Sequence, residues 1–144
     1  MQKILLGSEN EMLAFGAALA KASRAGDVIF LRGDLGAGKT TLARGFIQSL
    51  IAETDVPSPT YTLVQTYETP NVEIWHCDLY RLEQPDDILE LGLLEAFETC
   101  ICLVEWPERM GAYAPASHRS VKIEFDGSGR ELTLKGWNES VKTS

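Results

Sequence analysis

The chain has 144 residues, 44% of them hydrophobic and 24% charged, the size and make-up of one domain around one core rather than two. No apolar run reaches the roughly 18 residues of a membrane span, and the opening "MQKILLGSENEM" meets charge too early for a secretory signal, so a cytoplasmic protein is expected. With 21 acidic against 13 basic side chains the net charge is -8, which opposes unaided binding to nucleic acid or an anionic membrane and favours a protein partner.

Ser8 and Glu11 have the S-x-x-E spacing of a capping box. Behind them Met12, Leu13, Phe15, Ala17, Leu19 and Ala20 predict a helix over 9–24 that stops at the Gly26-Asp27 turn. "VIFLR" (28–32) is a nearly continuous apolar run, as expected of a central strand buried on both faces of a parallel region. "KTTLARGFIQSLI" follows as a helix, with Leu42, Phe46, Ile47 and Leu50 on its apolar side. "VPSPT" (56–60) is a proline-punctuated loop, and "YTLVQTYE" and "VEIWHCDLY", separated by "TPN", predict a hairpin. "QPDDILELGLLEAF" reads as an acidic helix interrupted at Gly92. "CICLVEW" is a second continuous apolar strand, and "PERMGAYAPASH" an irregular surface loop. The strands "SVKIEF" and "ELTLKGW" are joined through "DGSGR" in a tight hairpin, and "NESVKTS" is expected to fray.

Cys77, Cys100 and Cys102 are odd in number and lack a framework spacing, which suits buried thiols in a reducing compartment. His76 and His118 have no paired ligand spacing, so a structural zinc site is not expected.

Between the first central strand and its helix lies "GDLGAGKTTL" (33–42). Gly33, Gly38, Lys39 and Thr40 fit G-x-x-x-x-G-K-[ST] in the strand-then-helix setting that a phosphate-binding loop requires. Glycines at 33, 36 and 38 let successive N–H groups curl round a phosphate, and the helix that starts near Lys39 adds its positive end. Lys39 would reach the β- and γ-phosphates, while the Thr40 hydroxyl would be a magnesium ligand. Nucleotide-bound magnesium usually wants a carboxylate at the end of an apolar strand. Glu105 closes "ICLVE" and Asp78 closes "VEIWHCD"; each is either a metal-side group or a solvated strand-end charge. Ser58 and Thr60 could meet the γ-phosphate or its metal as switch-loop hydroxyls, or simply form a turn.

Taken together, "GDLGAGKTTLARGF", "SPTYTLVQTYE", "HCDLYRL" and "ICLVEWPER" resemble the bacterial TsaE (YjeE) family, small P-loop ATPases needed to make threonylcarbamoyladenosine in tRNA. The loop alone is shared with many ATPases and GTPases, but "SPTYTLV", "DLYRL" and "VEWP" in this order are specific. The likeness runs from about residue 5 to residue 135. It implies a single-domain α/β P-loop NTPase fold over 1–137, with a central largely parallel sheet, flanking helices and β-hairpins, and a flexible tail over 138–144. ATP and magnesium are the implied ligands, and the implied partners are the TsaB–TsaD pair that transfers the threonylcarbamoyl group to the adenosine next to the anticodon. Tight tRNA binding by this chain alone, and membrane binding, are not expected.

Carried over residue by residue, the family's loop falls on Gly33, Asp34, Leu35, Gly36, Ala37, Gly38, Lys39, Thr40 and Thr41, and its metal side on Thr40 and Glu105. Lys39, Asp78 and Glu105 are the implied catalytic set, with Asp78 orienting metal-bound or attacking water. Glu9 and the Gly129-Arg130 pair match positions that approach the nucleotide. A small-molecule kinase would share the loop but needs an arginine-bearing lid, and 107–118 holds only Arg109. A guanine-reading N-K-x-D segment is absent. A module that binds ATP without hydrolysing it is the remaining alternative, separated by assay.

Overall fold

A computed structural model describes residues 1–52, 54–59, 61–138 and 140–142. Its strands are β1 (Gln2–Leu6), β2 (Val28–Arg32), β3 (Val64–Glu68), β4 (Glu73–Asp78), β5 (Ile101–Glu105), β6 (Arg119–Asp126) and β7 (Gly129–Lys135). Its α-helices are α1 (Glu9–Lys21), α2 (Lys39–Leu50) and α3 (Leu93–Thr99). The strands form one sheet in the order β1-β7-β6-β2-β5-β4-β3.

β2 occupies the middle of this sheet, with the bounds that its apolar run predicts. Ile29 and Leu31 face one core, built with α1 and α2, while Val28 and Phe30 face a second core under α3 and the 3-10 segments Pro85–Leu91 and Pro107–Tyr113. Burial on both faces is why the run is continuous rather than alternating. β6, β2, β5 and β4 are mutually parallel. The margins differ, because β1 pairs with β7, β7 with β6 and β3 with β4 in antiparallel register. The sheet is therefore parallel at its centre and hairpin-built at both margins, and the expected α/β class holds.

Three local readings shift. α1 ends at Lys21 rather than 24, because Ala22 closes it and the Asp27 carboxylate accepts the Arg24 N–H at 2.8 Å to form a turn. The Ser8 hydroxyl caps α1 by accepting the Glu11 N–H at 3.1 Å, while the Glu11 side chain reaches the N–H of Gly7. The loop expected over 107–118 opens with the Pro107–Tyr113 segment, which buries Pro107 and Met110. Within the stretch expected to fray over 138–144, Val141 is buried and exchanges two hydrogen bonds of 2.9 Å with the Gln2 side chain, while residues 139, 143 and 144 lie outside the described residues.

The helices over the first core meet unusually closely. A Cβ built on Gly45 of α2 would lie 2.2 Å from the Leu13 carbonyl oxygen, and one on Gly16 of α1 would lie 2.3 Å from that of Leu42. Backbone cannot yield as a side-chain tip can, so both positions must lack a side chain. This contact holds the middle of α1 against the middle of α2.

Candidate functional site

Three of the four parallel strands, β2, β5 and β4, end side by side at their carboxyl ends, the usual place for a site in an open α/β fold. β2 runs into the 33–38 loop, and β5 and β4 end in Glu105 and Asp78, which are register partners. The loop turns through Gly36 at φ 79° and Gly38 at φ 116°, left-handed conformations that L side chains rarely adopt. An N–H bond from Ala37 to the Asp34 carbonyl at 3.1 Å closes the turn. From β7, Arg130 holds the loop from outside: its Nε donates to the Ala37 carbonyl at 2.9 Å and its NH2 group to that of Gly36 at 3.4 Å. Those two carbonyls are thereby engaged by the guanidinium on the outer side of the loop.

Lys39 begins α2 and is buried. Its Nζ donates to the Gly33 carbonyl and lies 3.7 Å from the centre of the Trp106 ring. Burial holds its ammonium below the usual lysine pKa, opposed by the nearby Glu105 and Asp78 carboxylates. The ammonium thus sits among two carboxylates and an indole at the mouth of the loop.

Thr40, one residue on, places its hydroxyl 3.2 Å from Glu105 Oε2. A threonine that donates to a carboxylate keeps its oxygen lone pairs free for a cation. Glu105 is buried, and its Oε2 also lies 2.7 Å from His76 Nε2. Asp78 is buried on the same edge and accepts the Tyr80 N–H at 3.0 Å. These hard oxygen donors fit magnesium rather than a softer metal. Among the described residues no group of three or more His, Cys, Asp or Glu is placed to hold a metal ion.

Two openings flank the loop and share Gly36, Gly38 and Thr41. One, of about 240 Å³, gathers Lys39, Thr40, Ser58, Asp78, Glu105 and Trp106. The other, also about 240 Å³, is lined by Ser8, Glu9, Met12, Ser128, Gly129 and Arg130. Thus Glu9 and Arg130, distant in sequence from the loop, do lie beside it, on the side away from the carboxylates. Asp34 and Leu35 are exposed at the outer turn. Thr60 lies outside the described residues. Ser58 lines the first opening, in a segment tied to α2 by Gln48, which donates to the Thr54 carbonyl at 3.0 Å, and by Arg44, which reaches that of Val56 at 3.5 Å. Arg109, which a kinase lid would need, stacks over the Tyr80 ring instead.

His76 is the main residue that sequence reasoning passes over, since it is weighed there only as a zinc ligand. A signal was available: His76 and Asp78 are two apart on one strand and so share a face. The thiols need no role at this site. All three cysteines are free and buried, and burial pushes Cys102 up to about 12 and Cys77 well above its usual value, which leaves both inert.

The family model of the threonylcarbamoyl adenosine biosynthesis protein TsaE matches residues 6–132. The chain belongs to the TsaE family. A protein named tRNA threonylcarbamoyladenosine biosynthesis protein TsaE from Rickettsia bellii is 46% identical over 129 residues, covering 89% of this chain and 90% of the relative. One of the same name from Haemophilus influenzae is 39% identical over 132 residues, covering 88% and 84%. Among solved structures, the crystal structure of Bacillus subtilis YdiB matches with a TM-score of 0.78 and 31% identity, covering 92% of this chain and 83% of that one. The TsaE match spans both margins of the loop and both strand-end carboxylates, so the site just described lies inside the family region. Among the described residues no helix is long and apolar enough to cross a membrane.

Proposed function

We propose that this chain binds ATP with magnesium over the Gly33–Thr41 loop and hydrolyses it in the synthesis of tRNA threonylcarbamoyladenosine, in the cytoplasm and together with a TsaB–TsaD pair. The pathway follows from the names that its relatives carry. The chemistry rests on one observation above the others: Thr40, Glu105 and Asp78 meet at the mouth of the loop, with the Thr40 hydroxyl 3.2 Å from the Glu105 carboxylate.

In this reading the N–H groups of Gly36 to Thr41 hold the phosphate chain, and Lys39 exchanges its contact with the Gly33 carbonyl for a β- or γ-phosphate oxygen. Thr40 and Glu105 stand on the magnesium side. Bound there, the ion would neutralise charge on the phosphate oxygens as the terminal bond breaks. Asp78, beside Glu105, orients the attacking water and accepts its proton. The opening lined by Ser8, Glu9, Met12 and Arg130 lies beyond the loop from the carboxylates, where the nucleoside end of the ligand extends. Arg130 holds the loop backbone while it lines that opening.

The reading is tested by titrating ATP into the purified chain in magnesium and in EDTA, then following ADP formation without any added acceptor. Tighter binding in magnesium and slow acceptor-independent ADP release are expected. Binding that ignores magnesium, or ADP formed only when a small-molecule acceptor is present, would contradict it.

A further inference from the structure

His76 lies in the sheet interior with none of its surface exposed, and its Nε2 is 2.7 Å from Glu105 Oε2 although 29 residues separate the two in sequence. Its other ring nitrogen, Nδ1, is buried and has no hydrogen-bond partner among the described residues. An ionised carboxylate only accepts, so Nε2 is the donor in this pair. A buried imidazole with a single partner is held for that partner.

The partner is itself constrained from two sides. His76 and the Thr40 hydroxyl both approach Glu105 Oε2, at 2.7 and 3.2 Å, while Oε1 is no closer than 3.5 Å to Thr40. Two donors from different elements, β4 and α2, converge on one oxygen and so set the plane of the carboxylate. Without His76 the glutamate would keep, among the described residues, the Thr40 hydroxyl as its hydrogen-bond donor, and its terminal torsion would be freer to turn in the opening beside the loop.

We propose that His76 is a positioning residue: it locks the Glu105 carboxylate by donating from Nε2, so that the magnesium side of the site is built before any nucleotide arrives. This rests on the reading of Thr40 and Glu105 as the magnesium side. Partners of ligating groups commonly change metal affinity by about tenfold to a hundredfold when removed.

The experiment compares the parent with His76→Gln, His76→Asn and His76→Leu, using calorimetric ATP titrations in magnesium and in EDTA. The EDTA affinity reports the loop of each variant, so the ratio of the two affinities isolates the magnesium gain. Gln places its amide nitrogen where Nε2 stands; Asn stops short, near Nδ1; Leu fills the space without a donor. The expected result is a magnesium gain retained in His76→Gln and reduced about tenfold in His76→Asn and His76→Leu. Should His76→Leu fail to fold, the Gln and Asn pair decides in the same way. A parent without any magnesium gain overturns the reading on which this rests. A parent gain that Asn and Leu keep in full, or that Gln loses as they do, overturns the His76 assignment alone.

Discussion

Lys39 and Trp106 face each other across the mouth of the loop, with the lysine ammonium 3.7 Å from the centre of the indole. The two arrive there by different routes. Lys39 begins α2, whereas Trp106 follows the last residue of β5 in a left-handed conformation at φ 59°, an uncommon state for a residue with a side chain. Pro107 comes next and starts the 3-10 segment, so the chain turns sharply at Trp106 and lays its ring beside the loop. The cation–π contact occupies the lysine until an anion draws it away.

That relationship makes Trp106 a reporter. On the proposed reading, ATP and magnesium would draw the ammonium toward phosphate and change the field at the indole, so emission is expected to change on titration. Trp106→Phe is expected to remove most of that response, although Trp75 and Trp137 still emit. A variant that kept the whole response would place the signal on another tryptophan.

Lys39 separates stability from binding. Its folded-state pKa is lowered by burial, so folding disfavours the charged form. The sign follows: the penalty is fully present below the folded pKa and is relieved only as pH rises through it. Lys39→Met, which buries no charge, should therefore melt at or above the parent at neutral pH when both are free of nucleotide. The same variant and Lys39→Ala should lose a charge-assisted phosphate contact of roughly 1.5–3 kcal/mol, about tenfold or more in ATP affinity. Thermal melts with and without ATP measure both effects.

The two strand-end carboxylates should fail differently. Glu105→Gln is expected to raise the magnesium concentration needed for turnover, and Asp78→Asn to lower the maximal rate about a hundredfold with little change in magnesium demand. Steady-state rates across a magnesium series distinguish the two. Parent-like turnover in both variants would reduce these residues to structural charges.

Gly45 carries a purely structural prediction. In an open helix, Gly→Ala would stabilise by about 0.5–1 kcal/mol. Here the added Cβ would meet the Leu13 carbonyl at 2.2 Å, so Gly45→Ala should instead destabilise by about 1–3 kcal/mol and lower the melting temperature by several degrees. The sign of the change is the measurement.

What could be read from the sequence follows the range of the interactions. β2, the loop and the start of α2 are specified by neighbours in the chain, and their spacing suffices. The carboxylates at 78 and 105 could be named because each ends an apolar run, but their pairing is a property of parallel register between β4 and β5. β1 escapes notice because "QKILL" lies at a sheet edge and its strand partner, β7, begins at residue 129. Val141 reads as part of a polar tail, and only the Gln2 side chain, 139 residues away, reveals where it docks. His76 is the same case at the site itself: its meaning resides in a contact with Glu105 that no local pattern announces.

The proposed account turns on whether ATP hydrolysis here answers to a protein partner. A net charge of -8 offers little counterion release on approach to tRNA, so the route to RNA should pass through another protein. Coupling between two binding sites is reciprocal, so a partner that speeds turnover by favouring the ATP-bound form must itself be bound better in ATP. The direct measurement is ATP turnover by this chain, alone and with a purified TsaB–TsaD pair, alongside partner retention in ATP, ADP or neither. The account predicts slow turnover alone, faster turnover with the pair, and strongest retention in ATP; unstimulated turnover with retention indifferent to nucleotide would contradict it.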